Sequence, residues 1–255
     1  MTFLDAILLG IVEGLTEFLP ISSTGHLILV AELLRLPETD FLKTFQIAIQ
    51  LGAILAIVVL YWRTLFFDRA IIKRILVALV PAIGVGFLLY TMIRQLFESS
   101  LVVVGALFMG GLVLILFELF RKTKGEYGTT LEAMTYRTAF LVGVFQTLSV
   151  IPGVSRAGAT ILGGLVLGLR RTAIVEFSFL LAVPTMVAAT TLDIWKHGAA
   201  FSSADFSLLL VGMTTSFFVA MVAVKFLLRF IESHTFIAFG VYRMVVAVLF
   251  FLFVL

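Results

Sequence analysis

Six stretches of this chain, near 42–62, 75–94, 101–120, 172–193, 206–226 and 236–255, are each apolar for about twenty residues. That is the length a helix needs to cross ~30 Å of hydrocarbon. No soluble domain can bury so many such stretches at once. The composition agrees: 62% of the 255 residues are hydrophobic and 13% charged, where a soluble domain carries about 25% charged residues. The mean hydropathy is +1.19. The chain is therefore expected to be an all-α polytopic membrane protein. Its net charge of +3 gives no basic field for nucleic acid. It has no Cys, which excludes disulfides and Cys-ligated metals. The start, MTFLDAILLG, lacks a basic n-region and a small-residue cleavage site, and reads as mature sequence.

Two further stretches, 3–34 and 138–169, are hydrophobic but broken, the first at Pro20 and the second at Pro152. ISSTGH follows one break and GVSRAGAT the other. Pro removes a backbone donor and disfavours helix before it. A polar, Gly-bearing break inside apolar sequence predicts a re-entrant hairpin, because irregular backbone at membrane depth needs protein or a wet cavity around it. The two breaks are 132 residues apart, and the same offset lays 42–62, 75–94 and 101–120 over 174–194, 207–226 and 233–252. The chain thus reads as one membrane domain, 1–255, built from two copies of hairpin plus three spans, approximately 1–125 and 133–255.

Lys and Arg then set the orientation. Arg63, Arg69, Lys73 and Arg74 follow the first span, and Arg121, Lys122 and Lys124 the third. Arg170 and Arg171 close the second hairpin, and Lys225 and Arg229 follow the fifth span. The connections near 95–100 and 196–205 are poor in both residues. The positive-inside rule puts the basic group in the cytoplasm. The hairpins then enter from opposite sides, and the three-span halves have inverted topology. Such repeats place their sites near the midplane, where broken half-helices point at ligand.

The first break lies in EGLTEFLPISSTGH, residues 13–26. Glu13 and Glu17 are four apart and share a helix face. A charge at membrane depth costs roughly 2.5–3.5 kcal/mol on insertion scales, so two acids call for a cation, a proton or an Arg. Protonated carboxyls packed between helices are the plain alternative. Gly10 and Gly14 have small-xxx-small spacing, which close helix packing explains. Ser22, Ser23 or Thr24 can cap the second half-helix, whose free amides form an anion site. Ser23 and His26 are three apart, a spacing that suits a hydroxyl nucleophile activated by imidazole. A capping Ser and a hydrogen-bonded His would look the same. In PGVSRAGAT, Arg156 is the only charge between Arg137 and Arg170. Its fork of donors suits phosphate or carboxylate, or an ion pair with Glu13 or Glu17. Ser155, Gly153 and Gly158 let the backbone approach an anion. Two acids beside an anion make sense around a divalent cation, and oxygen ligands favour Mg²⁺ or Ca²⁺. Phosphate chemistry on a lipid substrate follows as an expectation.

EGLTEFLPISSTGH and PGVSRAGATI resemble the two signature motifs of the undecaprenyl-diphosphate phosphatase family, the bacitracin-resistance type. The resemblance includes FQIAIQLGAILA (45–56) and EFSFLLAVP (176–184) and runs through nearly the whole chain. It implies hydrolysis of the C55 polyprenyl diphosphate to its monophosphate and inorganic phosphate, which recycles the lipid carrier for cell-wall precursors. It also implies a bacterial inner-membrane protein whose site opens to the periplasm. The family's functional residues would fall on Glu13, Glu17, Ser23, His26 and Arg156. Glu13 and Glu17 would hold the metal, and Ser22, Thr24, Ser155, Gly153 and Gln50 would line the substrate. One departure is visible: where the family usually has SRSG, this chain has Ala157, so no hydroxyl acts there. In the expected mechanism Arg156 and the half-helix amides hold the terminal phosphate. Ser23 attacks phosphorus and His26 takes its proton; the alternative makes His26 the nucleophile.

The remaining polar residues have plainer readings. His197 and His234 fall in predicted connections, and Trp62 and Trp195 at span ends, where interfaces favour Trp. Gln46 and Gln50 share a face and either line the pocket or join helices. Pro81 and Pro184 lie within spans. Arg243 is expected to pair with backbone or a lipid phosphate rather than take part in catalysis. Two rival functions use the same features. A carrier of a phosphorylated lipid shares the architecture but would not need a Ser/His pair opposite Arg. An intramembrane serine protease would leave Arg156 and the twin acids without a task. The sequence leaves a homodimer open.

Overall fold

In the computed structural model, which describes residues 1–89, 99–120, 128–197 and 203–253, the chain is a helical bundle with no strand among the described residues. Its first half holds α1 (Phe3–Thr16), α2 (Ser23–Leu33), α3 (Asp40–Leu60), α4 (Trp62–Phe67), α5 (Arg69–Leu88) and α6 (Ser100–Phe120). The second holds α7 (Tyr136–Gln146), α8 (Arg156–Val166), α9 (Arg171–His197), α10 (Ser203–Ser233) and α11 (Ile237–Phe253). Five helices are long and apolar enough to cross a membrane: α3, α5, α6, and the Arg171–Leu192 and Asp205–Ser233 parts of α9 and α10. The predicted span at 236–255 is α11, of which 17 residues are described.

Both broken stretches are helix–break–helix pairs whose arms pack on each other, α1 on α2 and α7 on α8. Caps explain where the arms begin. Thr2 and Asp5 form a reciprocal capping box at α1, and Thr135 caps α7. Ser22 and Ser155 cap the return arms α2 and α8, each accepting from the amide three residues on. A 3₁₀ turn, Thr147–Val150, opens the second break.

Burial sorts the spans. Of the apolar windows, 56% of α3 and 50% of α9 is buried, against 17% of α5 and 28% each of α6 and α10. The first two are therefore central, and the others present apolar faces such as Phe87 and Leu119 outward. Such faces are at rest only in lipid. The halves exchange partners: α1 packs on α10 of the other half, and α7 packs on α5. The α1–α10 contact depends on small residues. A Cβ on Gly10 would lie 2.6 Å from the Gly212 carbonyl oxygen, and one on Gly14 the same distance from that of Ser216. The glycines let the backbones touch.

The basic segment ends gather at one end of the bundle. Arg74 donates to the carbonyls of Glu132 and Met134, and Arg170 to that of Gly128. Arg171 grips both oxygens of Glu118 and the His234 carbonyl. Two details differ from the sequence expectation. Helix α10 runs seven residues past the predicted span to Ser233, so exposed Arg229 rides on the helix rather than after it. Trp62 starts a separate short helix rather than ending a span. Pro81 and Pro184 are inside helices, as expected. His197 ends α9, and His234 stacks on Phe230 at the basic end. The predicted basic group Arg121, Lys122 and Lys124 lies outside the described residues.

Candidate active site

The two breaks meet in a small cleft of about 70 Å³. Glu17, Ser22, Ser23 and Thr24 line it from the first break, and Ser149, Val154, Ser155 and Arg156 from the second. Gln50 of α3 and Met186 of α9 complete the wall. Both return arms start at this wall, so the first amides of α2 and α8, which have no intrahelical acceptor, lie where an anion would bind.

Glu17 is the hub. It caps α1, and the chain then turns, bringing its carboxylate back beside the start of α2. Ser23 Oγ donates to Glu17 Oε2 at 2.5 Å. Arg156 Nη2 donates to Glu17 Oε1 at 2.9 Å, an ion pair buried on both sides. Arg156 is steadied in turn by donating from Nη1 to the Ser178 carbonyl at 2.9 Å. The Ser178 hydroxyl is bonded to Thr160 Oγ1, which also donates to the Arg156 carbonyl. The serine hydroxyl, one carboxylate and one guanidinium thus form a continuous chain across both breaks. Ser155 Oγ ties the second break to the first through the Leu19 carbonyl, at 3.4 Å.

Glu13, one turn before Glu17, is wholly buried, and among the described residues no donor reaches either of its carboxylate oxygens, which face the Glu17 carboxyl. Glu17 and Arg156 act on it electrostatically. An uncompensated carboxylate at this depth fits a bound cation or proton. Among the described residues no three His, Cys, Asp or Glu cluster as a metal cage.

His26 departs from the expected geometry. Its three-residue spacing from Ser23 does not bring the ring to the hydroxyl. Nδ1 lies 2.7 Å from the Ser22 carbonyl oxygen and Nε2 3.0 Å from the Tyr242 hydroxyl, so both ring nitrogens are engaged away from Ser23. Helix α2 starts at Ser23, and a ring three residues on folds back over its own first turn instead of reaching forward into the cleft.

Of the other expected residues, Ser22, Thr24, Ser155 and Gln50 line the cleft. Gly153 does not. Its φ is +91°, and a Cβ there would meet the Val103 carbonyl oxygen at 2.5 Å, so backbone shape and packing account for it. Gln46 bonds the Leu27 carbonyl and joins helices, which separates it from Gln50. The sequence reading passed over Ser149, Val154, Met186 and Tyr242. Its own 132-residue offset lays Glu17 over Ser149 and Ser22 over Val154, a signal for two of the four.

Arg243, on α11 and 2% exposed, has no acidic partner among the described residues. It donates to four carbonyls: Leu107 and Ala106 of α6, Pro20 of the first break and Gly153 of the second. Backbone pairing was one of its two expected partners. One side chain thus pins both breaks to α6.

The chain is similar to known proteins over nearly its whole length. The family model described as bacitracin resistance protein BacA matches residues 6–249. The chain is similar to the undecaprenyl-diphosphatase of Sulfurihydrogenibium sp. (strain YO3AOP1), 51% identical over 252 residues covering 99% of both chains. It is 49% identical to that of Aquifex aeolicus (strain VF5) over 98% of both. It is likewise 49% identical to that of Persephonella marina (strain DSM 14350 / EX-H1) over the full length of both.

Proposed function

Because the chain belongs to the bacitracin resistance protein BacA family, we infer that it is an integral membrane undecaprenyl-diphosphatase working at the cleft between the two breaks. It hydrolyses undecaprenyl diphosphate to undecaprenyl phosphate and inorganic phosphate. The observation that carries this reading is the buried chain Ser23–Glu17–Arg156, in which a hydroxyl, a carboxylate and a guanidinium stand side by side, as a nucleophile, a proton acceptor and a phosphate clamp would need to.

Arg156 and the first amides of α2 and α8 bind the terminal phosphate. Ser23 Oγ attacks its phosphorus and passes its proton to Glu17, the group it already touches. The phosphoanhydride bond breaks, and the polyprenyl monophosphate leaves with its electron pair. Water then attacks phosphoserine and keeps its protons on the freed inorganic phosphate, while Glu17 returns its proton to the departing Ser23 oxygen. When phosphate enters, Arg156 turns from Glu17 toward it. Glu13 and Glu17 are the residues that would hold a divalent cation, Mg²⁺ or Ca²⁺, which when bound would neutralise phosphate charge. Gln50 and Thr24 orient substrate oxygens or water.

The partner exchange between α1–α10 and α5–α7 supports an inverted repeat. With the basic end in the cytoplasm, the enzyme sits in the bacterial inner membrane and its cleft serves the periplasmic face. The reading is compatible with a homodimer.

The test is phosphate release from a long-chain polyprenyl diphosphate by purified protein in detergent, with and without EDTA, beside Ser23→Ala and Arg156→Ala. Loss in both variants and on chelation is expected. Lipid binding without phosphate release by the folded wild type would overturn the reading.

A further inference from the structure

Ser22 is the one non-glycine residue of the cleft with a left-handed backbone: its φ is +73° and ψ 92°. A residue with a Cβ holds such a conformation only when its surroundings enforce it. The next residue is Ser23, so the Ser22 backbone sets where that hydroxyl lies. What enforces Ser22 is visible. Its carbonyl oxygen receives the His26 backbone amide at 3.1 Å and His26 Nδ1 at 2.7 Å.

A carbonyl only accepts, so Nδ1 carries the hydrogen. In a neutral imidazole Nε2 is then bare and accepts from the Tyr242 hydroxyl at 3.0 Å. The two rings are stacked, with centroids 5.5 Å apart and planes 4° apart. Tyr242 stands on α11, 216 residues away along the chain, beside Arg243.

We propose that Tyr242 is a positioning residue. By donating to Nε2 it locks His26 in the neutral Nδ1–H tautomer, and His26 in turn holds Ser22 left-handed and Ser23 in line for attack. This rests on Ser23 being the nucleophile. His26 then contributes to the reaction through backbone geometry, without exchanging a proton with substrate.

The test is a double-mutant cycle between Tyr242→Phe and Ser22→Gly in the phosphate-release assay. Glycine adopts positive φ at no steric cost, so it needs no clamp. Tyr242→Phe alone should lower kcat about five- to tenfold, the loss expected for one hydrogen bond, with KM unchanged. In the Ser22→Gly background the same change should cost less than about twofold. A merely structural tyrosine, or a histidine acting as base, gives the same loss in both backgrounds, which would overturn the proposal, as would no loss in either.

Nitrogen NMR of ¹⁵N-histidine-labelled wild type gives a second readout. The chain has three histidines, so substituting His197 and His234 isolates His26. A protonated Nδ1 with a bare Nε2 is expected, and a hydrogen on Nε2 overturns the tautomer. If instead Ser23→Ala keeps full activity, the nucleophile assignment fails. The ring spectrum then still reports separately on the Tyr242 clamp.

Discussion

Arg156 and Glu17 come from helix ends 139 positions apart and meet at 2.9 Å in the interior. The pair makes one site from two hairpins that are each incomplete. It also makes a resting state, because the guanidinium that would hold phosphate is occupied by the carboxylate that would take the serine proton. Replacing either partner alone leaves a buried, uncompensated charge. Arg156→Gln or Glu17→Gln should each destabilise the protein by about 3–5 kcal/mol. The double variant should regain most of that while remaining inactive. Thermal unfolding in detergent beside the phosphate assay separates the two effects. Arg156→Lys keeps the charge but not the fork that reaches Glu17 and Ser178 together. Its kcat should fall by about 10²–10³-fold.

Among the described residues Glu13 has no donor for either oxygen, which allows a prediction about metal dependence. Glu13→Gln preserves shape and removes the charge. If Glu13 binds a cation, the Mg²⁺ concentration needed for half-maximal activity should rise by about ten- to a hundredfold, the scale of a weakened metal site. Thermal stability without metal should rise, because a buried lone carboxylate is costly. An unchanged Mg²⁺ titration would mean that Glu13 is a protonated packing group.

The extent to which this site was legible follows from what each contact is made of. Pro20 and Pro152 break helices by covalent structure, so the breaks could be placed from local sequence, with three candidates for the α2 cap, of which Ser22 is the one. Glu17 and Arg156 are charges in apolar surroundings, and each calls for the other. The His26–Tyr242 contact spans 216 residues and leaves no periodic trace, so a short-range spacing suggested Ser23 instead. The acceptors of Arg243 are backbone carbonyls, which every residue carries. Sequence could therefore say that Arg243 needed acceptors but not which ones. Short helix α4 was hidden for a related reason: it continues an apolar span, and only a break in the backbone after Leu60 separates it.

Packing between α1 and α10 gives a prediction about stability alone. A Cβ at Gly14 would lie 2.6 Å from the Ser216 carbonyl oxygen and 2.7 Å from Val219 Cβ. Backbone cannot yield there without moving a helix, so Gly14→Ala should cost about 1–3 kcal/mol. Gly84, inside α5, has nothing within 4 Å of where its Cβ would be. Gly84→Ala should be neutral or stabilise by up to ~1 kcal/mol through helix propensity. Melting curves of the two variants compare the same chemical change where the backbones touch and where they do not.

Arg243 permits the most direct test of how the breaks are held in register. Its four carbonyl partners belong to α6 and to both breaks, and its guanidinium lies over Gly110, where a Cβ would collide with Nη2. Arg243→Gln and Gly110→Ala should therefore disturb the same contact from opposite sides, one by removing the guanidinium and the other by displacing it. Both should lower kcat by about ten- to a hundredfold at temperatures where the protein stays folded. A shift of about 1 Å between nucleophile and phosphate clamp is enough for such a loss. Gly105→Ala, on the same helix with open space around it, should leave kcat unchanged. If Gly110→Ala proves as active as wild type while Arg243→Gln is impaired, the arginine acts through its charge rather than by holding Pro20 and Gly153 together.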